Sequence, residues 1–149
     1  MIVYPAIDIS KGKIVRLLRG DFSKKKVYNN DIIEQVKIFE RNGAEHIHVV
    51  DLDGALEGKN KNEDSINKII QNTKCKVQLG GGIRTLKDIE KWVELGVHRV
   101  IIGTSAITDK SLVKEAIKAF PKKVSVGLDL YREYVAIKGW TKVIKEKSA

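Results

Sequence analysis

Five apolar runs recur along this chain, the first four each leading on to a stretch with helical spacing, and the runs are continuous rather than alternating. Residues 2–8, 46–52, 76–79, 98–102 and 123–129 read as strands of this kind. An alternating run suits a sheet with one wet face. A continuous run suits a strand covered on both faces, the pattern of a parallel sheet under helices. Strand and helix recur at spacings of roughly 20–40 residues, which narrows the architecture to a doubly wound sheet or a (β/α)8 barrel. No linker or low-complexity stretch divides the sequence, so residues 1–149 are expected to form one domain.

The helices announce themselves by their ends. Asp31 is placed to cap a helix, with Glu34 three residues on as a capping-box partner and Asn42-Gly43 as its stop. Ile66, Ile69 and Ile70 mark a second helix. Thr85 caps a third, whose apolar side is Leu86, Ile89, Trp92 and Val93. Asp109 caps a fourth, bearing Leu112, Val113, Ala116, Ile117 and Phe120. Residues 14–18 read as a short return strand after the Lys11-Gly12-Lys13 turn. Lys24-Lys25-Lys26 reads as a loop, and residues 134–137 as a short strand after the fifth main one.

Charge and composition remove several function classes. The chain carries a net charge of +9, but its lysines are scattered among acids and no basic stripe interleaved with aromatics appears, so no nucleic-acid partner is expected. No apolar run approaches the ~20 residues needed to span a bilayer, so no membrane partner is expected either. Cys75 is the single cysteine, which excludes an internal disulfide and a multi-cysteine metal site. The first residues lack the basic n-region and cleavage site of a signal peptide, and the reading is cytoplasmic.

Two of the strands end in glycine turns fit for phosphate. Lys76-Val77-Gln78-Leu79 runs into Gly80-Gly81-Gly82-Ile83-Arg84, and Arg99-Val100-Ile101-Ile102 runs into Gly103-Thr104-Ser105. Glycine lets a backbone approach an anion closely and adopt positive φ. The helix start behind it adds unpaired N–H groups and a positive dipole end. Two such turns on successive strands suit one phosphate held between them, so the partner expected is a phosphorylated small molecule.

Asp8 and Asp129 are the candidate catalytic pair. Each follows an apolar strand, and in a parallel barrel the carboxyl ends of all strands meet on the face that holds active sites. Two carboxylates there suit a base and an acid flanking a small substrate. His46 and His48 share a strand face. Two histidines without a third ligand are a weak metal signal, so no metal is expected. Of Asp51 and Asp53, one is expected to fix the loop rather than react. Arg84 is placed to meet an anion, Arg16 sits on the return strand after Asp8, and Trp140 follows the fifth strand.

Pro5-Ala6-Ile7-Asp8, Gly12-Lys13-Ile14-Val15-Arg16-Leu17, Gly20-Asp21, His48-Val49-Val50-Asp51-Leu52-Asp53-Gly54-Ala55, Gly80-Gly81-Gly82-Ile83-Arg84 and Lys138-Gly139-Trp140 occur in one order along the chain. This ordered set resembles the phosphoribosylformimino-aminoimidazole carboxamide ribotide isomerase family of histidine biosynthesis. The resemblance implies a (β/α)8 barrel and a cofactor-free Amadori rearrangement of an aminoaldose to an aminoketose. It implies that Asp8 is the general base and Asp129 the acid that helps open the ribose ring. It also implies that Gly81, Gly82, Gly103 and Thr104 form a phosphate site, that Arg16 and His48 lie near the substrate, and that Trp140 belongs to a mobile covering loop. The sister cyclase of the same pathway is the alternative. It usually carries cysteine-leucine before the first aspartate, where this chain has Ala6-Ile7.

A complete barrel needs eight strands and typically ~250 residues, and about five parallel strands are legible here. The family's second phosphate site belongs to later strands. The full-length barrel is expected to be a monomer. The 149-residue chain is expected to expose lateral edges at its first and fifth strands, to self-associate or aggregate, and to show little activity, as a non-catalytic half-barrel.

Overall fold

The computed structural model describes residues 1–18, 20–58, 61–131, 134–137 and 142–147. Strand β1 (Ala6–Ser10) is followed by a hairpin, β2 (Lys13–Leu18) and β3 (Asp21–Asn29), and by helix α1 (Ile32–Arg41). Then come β4 (His46–Asp51), α2 (Leu52–Glu57), α3 (Glu63–Asn72), β5 (Lys76–Gly80) and α4 (Leu86–Glu94). The order continues with β6 (Arg99–Ile102), α5 (Thr104–Thr108), α6 (Lys110–Ala119) and β7 (Val124–Val126). Three short strands close it: β8 (Asp129–Tyr131), β9 (Tyr134–Ile137) and β10 (Lys142–Lys147).

The five expected parallel strands are β1, β4, β5, β6 and β7, each paired in parallel with the next. Successive strands lie side by side, as in a (β/α)8 barrel, and the chain forms a partial barrel of that kind. The helix-side residues drive it. Ile7, Ile9, Ile47, Val49, Leu79, Val100 and Ile102 are fully buried, and so are Val36, Ile66, Ile69, Ile89 and Trp92 from the covering helices. They form one apolar cluster, the strand positions alternating so that this set points away from the concave face.

Among the boundaries that differ from the sequence reading, three have a local cause. β1 starts at Ala6, because Pro5 has no N–H to give a ladder; its carbonyl accepts from His48 N at 2.9 Å instead. β4 stops at Asp51, whose side chain accepts from Gly54 N at 2.9 Å and so caps α2. The fifth strand ends at Val126, and Asp129 begins β8 in a separate three-stranded antiparallel sheet with β9 and β10.

Lys24-Lys25-Lys26 is not a loop but the middle of β3, an edge strand of the seven-stranded sheet. Lysines on an edge discourage another chain from pairing there. The hairpin also corrects the expectation of a bare first strand. β2 pairs antiparallel with β1 over Asp8–Ser10, so β1 is an interior strand and the edges are β3 and β7.

Asp31 caps α1 as expected, accepting from Ile33 N and Glu34 N at 3.0 Å each. Glu34 does not complete a capping box. The Asp31 N–H already donates to Asn29 Oδ1 at 3.0 Å, and Glu34 pairs instead with Arg41 at 2.6 Å. The reciprocal box occurs at α4: Asp88 N donates to Thr85 Oγ1 at 3.1 Å, and Thr85 N to Asp88 Oδ2 at 2.9 Å.

Candidate active site

At the carboxyl ends of the parallel strands lies a cleft of about 370 Å3, within the range of small-molecule sites. Its walls include Asp8 from β1, His48 and Val50 from β4, Gly80 at the end of β5, Gly81, Gly82 and Arg84 after it, Gly103, Thr104 and Ser105 after β6, and Asp129. The two aspartates and both glycine turns thus border one space.

The glycine turns are set by close packing. Gly81 and Gly82 have φ of +95° and +74°, the left-handed region that favours glycine. A Cβ on Gly81 would stand 2.2 Å from the Asp51 carbonyl oxygen, so no side chain fits there. The second turn is fastened to the first. Ser105 Oγ, on the opening turn of α5, donates to the Ile83 carbonyl at 2.7 Å in a buried bond. That link was not read from the sequence; a serine two residues after a glycine carries no signal by itself.

Behind the first turn, Asp51 and Asp53 both hold the loop, where the sequence suggested one. Asp51 is fully buried and accepts from Gly54 N, from Lys61 N at 2.8 Å and from Asn62 Nδ2 at 2.6 Å. Asp53 accepts from Ser10 Oγ at 2.8 Å, Lys11 N at 2.6 Å and Asn62 Nδ2 at 3.0 Å. Partial burial raises the Asp53 pKa, but the Lys11 amide, Asn62, Ser10 and Lys25 outweigh it and hold the group below its ordinary value. Asn62 was missed because it matches no motif. It is the hub of this network, and its Oδ1 also accepts from Gly12 N at 2.8 Å.

Asp8 is half-buried beside His48. Burial raises the Asp8 pKa, partly opposed by the charges of His48 and Arg16. Burial lowers the His48 pKa, opposed by Asp8 and by a Gln78 hydrogen bond. Desolvation therefore makes Asp8 a stronger base and keeps His48 toward its neutral form. His48 Nδ1 is buried without a hydrogen-bond partner among the described residues.

The other named residues divide. Asp129 is exposed and lines the cleft from the start of β8. Arg84 lines it too, its guanidinium lying over Gly58, where a Cβ would fall 2.1 Å from Cζ. Arg16 is exposed on β2 and is not part of the wall, though its charge acts on Asp8. Trp140 lies outside the described residues. His46 lies at the opposite end of β4 from the cleft, its ring 4.8 Å from Tyr4 and 6.2 Å from His98.

Fold and cleft define an α/β protein of the barrel type, with paired carboxylates and glycine turns at the carboxyl ends of its strands. Residues 2–148 match the family model described as histidine biosynthesis protein, and the chain belongs to that family. It is 51% identical over 140 residues to the 1-(5-phosphoribosyl)-5-((5-phosphoribosylamino)methylideneamino)imidazole-4-carboxamide isomerase of Nitrobacter hamburgensis, covering 94% of this chain and 57% of that protein. It is 49% identical over 145 residues to the isomerase of the same name from Clostridium acetobutylicum, covering 97% of this chain and 61% of that one. The chain thus spans 57% and 61% of the length of these two relatives. No helix among the described residues is long and apolar enough to cross a membrane.

Proposed function

We propose that this chain carries the acid–base and first phosphate-binding parts of an isomerase that converts a phosphoribosyl aminoaldose to the aminoketose in histidine biosynthesis. The observation that carries the reading is the shared cleft: Asp8, Asp129, His48 and both glycine turns border one space. Relatives at about half identity bear the isomerase name.

In this reading, Asp129 gives a proton to the ribose ring oxygen, the ring opens, and an imine forms at C1′. Asp8 takes the C2′ proton, which yields an enaminol that relaxes to the ketone. Burial raises the proton affinity of Asp8, which favours a base, while Asp129 stands at the exposed mouth. No redox step occurs between substrate and an outside carrier, so the rearrangement calls for no cofactor.

Gly82, Gly103 and Thr104 are assigned to one phosphate, with Arg84 and His48 beside the ligand. Arg16 acts from outside the wall by its charge, and Trp140 is retained as a covering residue on family resemblance alone. The second phosphate named in the relatives is assigned to their additional length. Remote phosphate binding supports catalysis at the reacting centre, so the 149-residue chain alone is expected to turn over substrate weakly. The cytoplasmic location read from the sequence goes with this proposal.

The test joins residues 1–149 to the part of the Clostridium acetobutylicum relative that lies beyond the matched region. This chimera should isomerise the substrate, and Asp8→Asn in it should nearly abolish turnover. A chimera that binds the substrate but is indifferent to Asp8→Asn would sink the assignment.

A further inference from the structure

Strand β3 reaches the cleft at one residue. Its ladder with β2 pairs Leu18 with Asp21 and Leu17 with Lys25, so Phe22, Ser23 and Lys24 have no residue opposite them. Such a bulge re-aims a side chain out of the sheet's alternation. Ser23 and Lys24 are exposed, whereas Phe22 is half-buried and lines the cleft. Tyr28, the other aromatic of β3, is exposed.

The bulge is fastened on both sides of that ring. Asp21 Oδ1 accepts from Ser23 N at 2.9 Å and from Ser23 Oγ at 2.6 Å. Lys25 Nζ donates to Ser10 Oγ at 2.9 Å and lies 3.8 Å from Asp53 Oδ1. The same Nζ stands 5.6 Å from the centroid of the Phe22 ring, within cation–π reach. Ser10 ends β1, so the position of the ring is tied to the strand that carries Asp8.

We propose that Phe22 is a specificity-determining residue whose ring packs against a planar nitrogen heterocycle carried by the ligand of this cleft. The phosphoribosyl part of that ligand rests on the isomerase reading above. Among the described wall residues Phe22 is the sole carbocyclic aromatic, with Val50 and Ile101 as apolar neighbours in the same wall. In the strand order, β3 and the strands that lead into the glycine turns, β5 and β6, lie on opposite sides of β1. A ligand anchored by a phosphate at those turns and passing Asp8 brings its far part to Phe22. A phenyl ring suits a flat heterocycle because it covers an apolar face and asks for no hydrogen bond, which leaves the ring nitrogens to polar groups. Phe22 moves no proton, so its part is separate from those of Asp8 and Asp129. A sugar phosphate that ends at the sugar gains nothing from it.

The experiment compares two ligands on the 149-residue chain by isothermal titration calorimetry. One is 5-aminoimidazole-4-carboxamide ribotide, which carries a planar ring; the other is ribose 5-phosphate, which does not. The unaltered chain should prefer the ribotide. Phe22→Ala should cut that preference about tenfold, the size of a lost base–aromatic contact, while ribose 5-phosphate binds as before. Phe22→Tyr, which keeps the ring, should restore the preference. An unaltered chain with no preference, or a Phe22→Ala chain that keeps it or weakens both ligands alike, overturns the proposal.

Phe22→Leu covers the case in which the alanine variant does not fold, since it keeps the apolar bulk and removes the flat face. It should still lose most of the preference for the ribotide, and an unchanged preference overturns the proposal. This ratio needs no turnover, whereas the isomerase reading is judged by turnover of the chimera, so the two can fail separately.

Discussion

The two faces of strands β1, β4, β5 and β6 differ in almost every respect. Toward the helices, Ile7, Ile9, Ile47, Val49, Leu79, Val100 and Ile102 are fully buried in one apolar cluster. Toward the concave side, the same strands present Asp8, His48, Gln78, Lys76 and Arg99, none of them fully buried. Since the side-chain period of a strand is two, one-residue steps separate a position that holds the fold from one available for chemistry. The helix-side face supplies the burial that forms this part of a barrel. The concave face is free to carry groups that a core would exclude.

Trp92→Ala should break the first face most severely. The ring is fully buried, and truncating a buried tryptophan costs about 3–5 kcal/mol, to be read from chemical unfolding. A loss under about 1 kcal/mol would mean that the helix layer is not what holds the sheet. Asp8→Asn addresses the second face. In the chimera it should lower kcat by about a hundredfold or more, a common size for a lost general base, with little change in unfolding midpoint. If it unfolds the protein instead, the concave face is structural too.

Ser105→Ala lies between the faces. It leaves the Ile83 carbonyl without its buried donor, for a loss of about 1–3 kcal/mol. Because that bond spans the two glycine turns, titration with inorganic phosphate should also show weaker binding. Stability loss without any change in phosphate affinity would separate the bond from the anion site. Gly81→Val is a poor probe of the same site, since its side chain would strike the Asp51 backbone before it met any ligand.

The smallest effect is at Glu40, far from both faces. It accepts from Thr73 Oγ1 and Lys74 N at 2.7 Å each and from Lys37 at 2.9 Å. The Thr73 and Lys37 side-chain bonds and the Lys74 amide lower its pKa from 4.5 to about 2. A depressed carboxylate stabilises the fold above its unfolded value and loses that contribution as pH falls through the folded one. Glu40→Gln should therefore cost roughly 1 kcal/mol near neutral pH, and the difference from the unaltered chain should shrink between about pH 4.5 and pH 2. A difference that stays constant over that range would assign the effect to packing.

What was legible in the sequence follows the same division. The parallel strands were readable because helix-side burial writes continuous apolar runs, and the helix starts were readable because Asp31, Thr85 and Asp109 are cap residues. β3 was not readable: an edge strand carrying Lys24-Lys25-Lys26 lacks the apolar pattern that marks a strand. α2 and α5 have six and five residues, too short to show a helical period. The glycine turns and Asp8 were found because backbone conformation and strand-end position leave local signatures. Asn62 and Ser105 were not, because each acts through partners far along the chain: Asn62 reaches Asp51 and Gly12, and Ser105 reaches Ile83.

The Ser105–Ile83 bond and the contact of Gly81 with the Asp51 backbone have a consequence for binding kinetics. The two glycine turns are joined by that bond, and the first packs closely against the capped Asp51 loop, before any anion arrives. Little backbone entropy of these two turns then remains to be lost on capture. Phosphate association with this cleft should accordingly be fast and single-phased, with discrimination among phosphorylated compounds expressed in how quickly each one leaves.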